Sequence, residues 1–282
     1  MKKILLIIIT LSSLTLARED TKTYSSWAIT ADSSYTVYNL DLQGDSHMKA
    51  IAYDVSELTV ALSRNVGSWQ YGVSYRGIIN EISTNSSILR TGGKDSADID
   101  RHEFLMTVNY ILNLEKIINT FFTQSTDIGK ERVALNMIFY NSSLDAWNQF
   151  DIGSTFRQTY KYDTQGAKIS LHYKLTPNNN QYKFWLFGGV VYTRANLKFN
   201  EYENTKVRPR YVDESVNEFG TNLGFAFTYD INYKMVFKVI GDWYNVDFGD
   251  VDVYSKNTKQ VVDTAKFQEN TSSIRIGLAY KF

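Results

Sequence analysis

Along much of the chain, hydrophobic and polar residues alternate with a period of two. Ile274, Ile276, Leu278, Tyr280 and Phe282 share one face of an extended segment, and Ser273, Arg275, Gly277, Ala279 and Lys281 share the other. Side chains of a strand point to opposite faces in turn, whereas a helix would scatter both sets around its surface. The period recurs at Leu58, Val60, Leu62; at Trp69, Tyr71, Val73, Tyr75; at Phe104, Met106, Val108, Tyr110; and at Val133, Leu135, Met137, Phe139. It returns at Ile169, Leu171, Tyr173, Leu175; at Leu223, Phe225, Phe227, Tyr229; and at Met235, Phe237, Val239, Trp243. An all-β chain follows.

The alternation predicts twelve strands, near 35–42, 56–64, 69–81, 101–112, 117–126, 131–141, 151–162, 166–175, 182–199, 217–229, 235–249 and 271–282. Segments 65–68, 113–116, 142–150, 176–181 and 230–234 then become turns on one side. Longer polar links, 43–55, 82–100, 200–216 and 250–270, fall on the other, with two short ones near Asp127 and Asp163. Two strands have alternatives. Leu114, Ile117, Ile118, Phe121 and Phe122 are spaced as on a helix, but without a strand there the link 82–100 would change sides, so parity selects the strand. The first strand rests on Tyr38, Leu40 and Leu42 and could instead lie earlier, near Trp27. Ten strands is the second count.

Where such strands belong is set by the N-terminus and the composition. Met1, Lys2 and Lys3 precede an apolar run from Ile4 to Leu11, and Thr15-Leu16-Ala17 offers small residues for cleavage. This reads as a secretory signal over 1–17, too short to cross ~30 Å of hydrocarbon as a helix, followed by one domain over 18–282. Aromatic residues make up 15% of the chain, with twenty tyrosines, yet no later stretch is apolar enough for a spanning helix. In lipid only helices and closed barrels satisfy every backbone polar group, so a chain that crosses with these strands does so as a closed antiparallel transmembrane β-barrel. A soluble barrel of this many strands would enclose a lumen too wide to fill with Leu and Phe side chains. There is no cysteine, hence no disulfide or thiolate metal site, and the zero net charge speaks against a nucleic-acid binder.

The last strand, with Phe282 ending the chain and Ile276, Leu278 and Tyr280 in register before it, resembles the C-terminal signature of the bacterial outer-membrane β-barrel superfamily. The resemblance implies residence in the outer membrane, contact with its lipid and recognition by the barrel-assembly machinery. It implies no particular activity.

The catalytic motifs of outer-membrane enzymes are not found. The lipolytic type needs a His two residues before a Ser, and the three histidines read His47-Met48-Lys49, His102-Glu103-Phe104 and His172-Tyr173-Lys174. No Asp-His dipeptide of the omptin type occurs. The acids at Asp247, Asp250 and Asp252 read as a charged loop rather than a calcium site. No cofactor or metal is expected, and a hydrolase is the least favoured reading.

The face opposite the apolar one carries Arg76, Arg101, Arg132, Arg157, Lys161, Lys168, Lys174, Lys234, Lys238, Arg275 and Lys281 against Glu103, Asp151, Glu218 and Asp242. A basic wall selects anions, so these residues, with His172 among them, are candidates to line a channel for small anionic solutes. The other reading pairs the same side chains across the lumen, leaving a plugged barrel that serves as scaffold or surface antigen.

Overall fold

The computed structural model describes residues 25–43, 51–86, 96–112, 133–151, 155–176, 181–203 and 210–282. They form ten strands: β1 Ser25–Gln43, β2 Ile51–Val66, β3 Trp69–Ser86, β4 Ser96–Leu112, β5 Val133–Asp151, β6 Thr155–Lys174, β7 Tyr182–Glu203, β8 Arg210–Asp230, β9 Met235–Ser255 and β10 Val261–Lys281. All neighbours are antiparallel, and β1 pairs with β10 to close a barrel. At the closure Trp27 and Phe282 exchange backbone hydrogen bonds of 3.1 and 2.9 Å.

The count is ten rather than twelve. The segment expected as a turn at 142–150 is the middle and end of β5, and the link expected near Asp163 lies inside β6. The strand expected at 117–126 and the signal at 1–17 lie outside the described residues. β4 pairs directly with β5, and β6 joins two expected strands in one, so the parity is intact and the link 82–100 keeps its side. β1 begins before Trp27, and much of the expected loops at 200–216 and 250–270 is strand.

The reason is strand length. Strands run from 16 to 22 residues, while about 9 to 11 cross the hydrocarbon. The excess projects beyond the lipid, away from the rim where β1 begins and β10 ends, and there the chemistry of the two faces is exchanged. Along β4 to β8 the outward row Met106, Phe139, Ala167, Tyr192, Phe219 is apolar. Three rows further from the termini, the outward residues are Asp100, Asp145, Lys161, Lys198 and Asp213, all exposed. The adjacent inward row is Ile99, Ala146, Tyr160, Phe199 and Val212, all buried. Tyr38, Leu40 and Leu42 obey the same rule: they face the interior, not lipid. Asn141-Ser142-Ser143 and Asp163-Thr164-Gln165-Gly166 sit at the exchange, which is why they read as turns.

Opposite walls meet in this outer part. The Tyr162 ring on β6 lies 5.5 Å from Phe267 on β10 and 6.4 Å from Phe248 on β9. Gly166 permits the approach of neighbouring groups on the inner wall, since a Cβ there would lie 2.6 Å from the Tyr140 hydroxyl and closer still to the Tyr192 carbonyl oxygen. Nearer the termini the interior is small and polar, and Asp32 lies against Gly277, where a Cβ would collide with its carboxylate.

The exchange of faces makes a prediction. Phe199→Ala, which empties a fully buried position above the lipid, should cost about 3 to 5 kcal/mol in urea unfolding of the refolded protein. Phe219→Ala, removing a ring turned outward to lipid, leaves no cavity and should cost only the transfer contribution, about 1.5 to 3 kcal/mol; a larger loss at Phe219 than at Phe199 would contradict the assigned faces.

Candidate functional site

Between the polar interior and the apolar one lies a buried layer of charge. Arg76 on β3 and Arg101 and Glu103 on β4 all point inward, because their parity is that of the face opposite Tyr75, Phe104 and Met106. Glu103 lies between the two guanidinium groups, 3.1 Å from Arg76 Nη1 and 3.6 Å from Arg101 Nη2. The Nε atoms donate to Thr59 at 3.3 Å and to Ser142 at 2.9 Å. On one side Glu57 accepts hydrogen bonds from Ser34, Thr36 and Tyr38 at 3.2, 2.6 and 2.6 Å. Arg101 stacks over the Tyr38 ring at 4.3 Å. The phenol thus carries a cation on its face and a carboxylate on its hydroxyl.

The other side repeats the device. Glu269 accepts from Tyr162 and Tyr244 at 2.7 and 3.0 Å, and Lys168 Nζ lies over the rings of Tyr244 and Tyr140 at 4.4 and 5.2 Å. Thr193 links the Tyr140 and Tyr244 hydroxyls. Asp242 completes the layer, accepting from Ser273 at 2.6 Å and from Arg275 at 3.2 Å. The groups reach across the barrel, from β6 to β10 and from β4 to β1. Arg76, Arg101, Glu103, Tyr140, Lys168, Asp242, Tyr244 and Glu269 surround a space of about 10 Å³ for a solvent centre, room for about one water.

Of the wall residues read from sequence, Arg76, Lys168, His172, Lys174, Lys238, Asp242 and Arg275 face inward, as do Arg101 and Glu103. Lys161 does not. It points outward above the lipid, opposite Asp145 on one side and Lys198 on the other. Arg132 lies outside the described residues; for Arg157 and Asp151 only the backbone is described. Glu218 is exposed, Lys234 sits in the turn before β9 near the Tyr233 ring, and Lys281 reaches Asp230 at 3.7 Å. Deeper toward the termini, Lys238 donates to Thr30 at 3.3 Å and Lys174 lies over Trp185 at 5.4 Å.

Sequence reading missed Glu57 and Glu269. Glu57 was legible, since it alternates with Leu58; Glu269 fell in a segment read as loop. With them the layer holds Arg76, Arg101, Lys168 and Arg275 against Glu57, Glu103, Asp242 and Glu269. The basic excess does not extend to this level.

The histidines separate. His47 lies outside the described residues. His102 faces outward, with Nε2 3.2 Å from Asp100 and Nδ1 2.5 Å from the Tyr75 hydroxyl. His172 faces inward, 3.1 Å from the Ser170 hydroxyl and stacked on Phe187 at 4.7 Å. That Ser-His contact reverses the order sought in the sequence and supplies two parts of a nucleophile relay. Ser170 is buried, and the ring is held by Phe187. Among the described residues no group of acids, histidines and cysteines could hold a metal ion.

Glu103 shared between two arginines sets a measurable expectation. Glu103→Gln leaves two buried guanidinium groups without their common carboxylate and should cost about 3 to 5 kcal/mol in urea unfolding. A loss below about 1 kcal/mol, typical of an exposed pair, would show that water reaches the layer.

No family model and no curated protein matches the chain. Solved structures do. The outer membrane protease OmpT from Escherichia coli is 10% identical with a TM-score of 0.50, over 92% of this chain and 96% of that one. The translocator domain of autotransporter NalP from Neisseria meningitidis is 12% identical with a TM-score of 0.47, over 99% and 95%. The outer membrane protein OprG from Pseudomonas aeruginosa is 13% identical with a TM-score of 0.39, over 92% and 97%. At these identities the likeness is one of fold alone: like the OmpT structure, the chain is a closed ring of antiparallel strands, here with an apolar belt turned outward.

Proposed function

We propose that this protein is a non-conducting outer-membrane scaffold, which holds a rigid, solvent-facing barrel head above the lipid. The observation that carries the reading is the meeting of opposite walls. Tyr162 touches Phe248, Phe267 and Glu269 across the lumen, and the ionic layer beneath has room for about one water. A hydrated anion would have to displace both the apolar core and a layer whose charges already match.

In this reading the basic side chains serve structure. Lys168 and Arg101 hold tyrosine rings, and Arg76 and Arg275 hold carboxylates. The outer-membrane lipid is the solvent of the belt. Ile276, Leu278, Tyr280 and Phe282, all outward and exposed, are the residues offered to the barrel-assembly machinery. The head, with charged residues outside and a core within, is the part available to the surroundings.

The anion-channel reading has its own support in Lys174 and Lys238, which face the interior below the layer. Planar-bilayer recording of the refolded protein separates the two. We expect no ion current for the native chain; steady single-channel steps would overturn the scaffold reading, and their reversal potential in a KCl gradient would give the selectivity.

A further inference from the structure

The ring of hydrogen bonds is not equally complete at every level. β3 and β4 are paired from Trp69↔Tyr110 to Gly77↔His102, and among the described residues no pairing joins them beyond that point. Each strand continues. β3 stays paired with β2 up to Ser86, and β4 with β5 down to Ser96. The register explains the parting. Glu57 pairs with Ile78 but Ser56 with Asn80, and Val55 pairs with Glu81 but Asp54 with Ser83, so Ile79 and Ile82 are extra residues on β3. Two bulges in succession bend a strand and end its pairing. The seam opens just past the aromatic pair Tyr75↔Phe104, where the barrel leaves the lipid.

We propose that the edge of β4 at 96–101, unpaired among the described residues, is a docking site for an extended, basic segment of a partner polypeptide, which adds to the sheet as a strand. An open edge presents every second residue's N–H and C=O to whatever lies beside it, a ready template for strand addition. The flanking side chains define the partner. Asp98 and Asp100 face outward and are exposed, with Ile99 inward and buried between them. Asp145 stands beside Asp100 on β5. On the opposite edge the bulged Ile79 is exposed. A strand that fits has Lys or Arg at alternate positions toward the acids and apolar residues between them toward Ile99.

The same charges argue against a second copy of this edge. Antiparallel self-pairing about Ile99 would put Asp98 of each copy opposite Asp100 of the other, and like charges directly opposite destabilise a ladder. The partner is therefore a different, basic chain. This rests on the reading of the barrel head as a solvent-facing platform.

The test uses the full chain in phosphatidylcholine nanodiscs and a fluorescent eight-residue peptide alternating Lys and Val, read by anisotropy. We expect saturable binding, weakened about tenfold by D98N/D100N, whose positions are exposed. N-methylation of alternate peptide amides should abolish binding. No binding of the Lys-Val peptide, equal binding of the N-methylated one, or no effect of D98N/D100N would each overturn the proposal. So would dimerisation of the protein through this edge in analytical ultracentrifugation. Ion current with peptide binding intact would instead count against the plugged scaffold, while a silent bilayer without peptide binding would count only against the docking edge.

Discussion

In hydrocarbon a backbone N–H or C=O has no water to turn to, so each strand of the belt needs a neighbour on both sides and the sheet has to close on itself. Here the closure joins β1 to β10, with Trp27 and Phe282 sharing hydrogen bonds at the terminal rim. Closure removes the edges of the sheet within the belt and creates a second difficulty. Ten strands enclose a space that needs filling or leaves a water path. The rest of the molecule follows from how that space is filled.

It is filled in two chemistries. Near the chain ends small and polar groups line the wall, and close contacts such as Asp32 against Gly277 narrow it. Beyond the lipid the opposing walls approach until Tyr162, Phe248 and Phe267 pack as in a soluble β-protein. A junction between a polar interior and an apolar one is costly unless its groups are satisfied, and the ionic layer performs that task. Tyr38, Tyr162 and Tyr244 are suited to it because each presents a ring to a cation or an apolar neighbour and a hydroxyl to a carboxylate. Isolated burial of Arg101 or Glu269 would be prohibitive; within the layer each has several partners.

The belt was readable from the sequence because lipid demands strict alternation. Ile274 to Phe282, Leu223 to Tyr229 and Ile169 to Tyr173 fall where the period puts them. What defeated the reading was a change of phase within a strand. In β5 the apolar positions pass from Phe139, facing outward, to Leu144, facing inward, across Asn141-Ser142-Ser143. A template that asks for one apolar face sees two strands and a turn. Pair partners such as Glu103 with Arg76 and Arg101 depend on register across strands, which no single stretch of sequence contains. Lys161 shows the converse. Its alternation with neighbours was clear, but its strand had already left the lipid, so the face opposite the tyrosines was the outside.

The exchange of faces has a bearing on the membrane itself. The change from Met106, Phe139, Tyr192 and Phe219 to charged residues takes place over six residues of each strand, about 20 Å of chain, and the core within changes in step. The barrel therefore has little freedom to ride higher or lower. Raising it would bring rings into water, and sinking it would press Asp145 and Lys161 into hydrocarbon. In a bilayer of unsuitable thickness the lipid would have to stretch or thin around the wall, because the protein has no compliant layer with which to meet it.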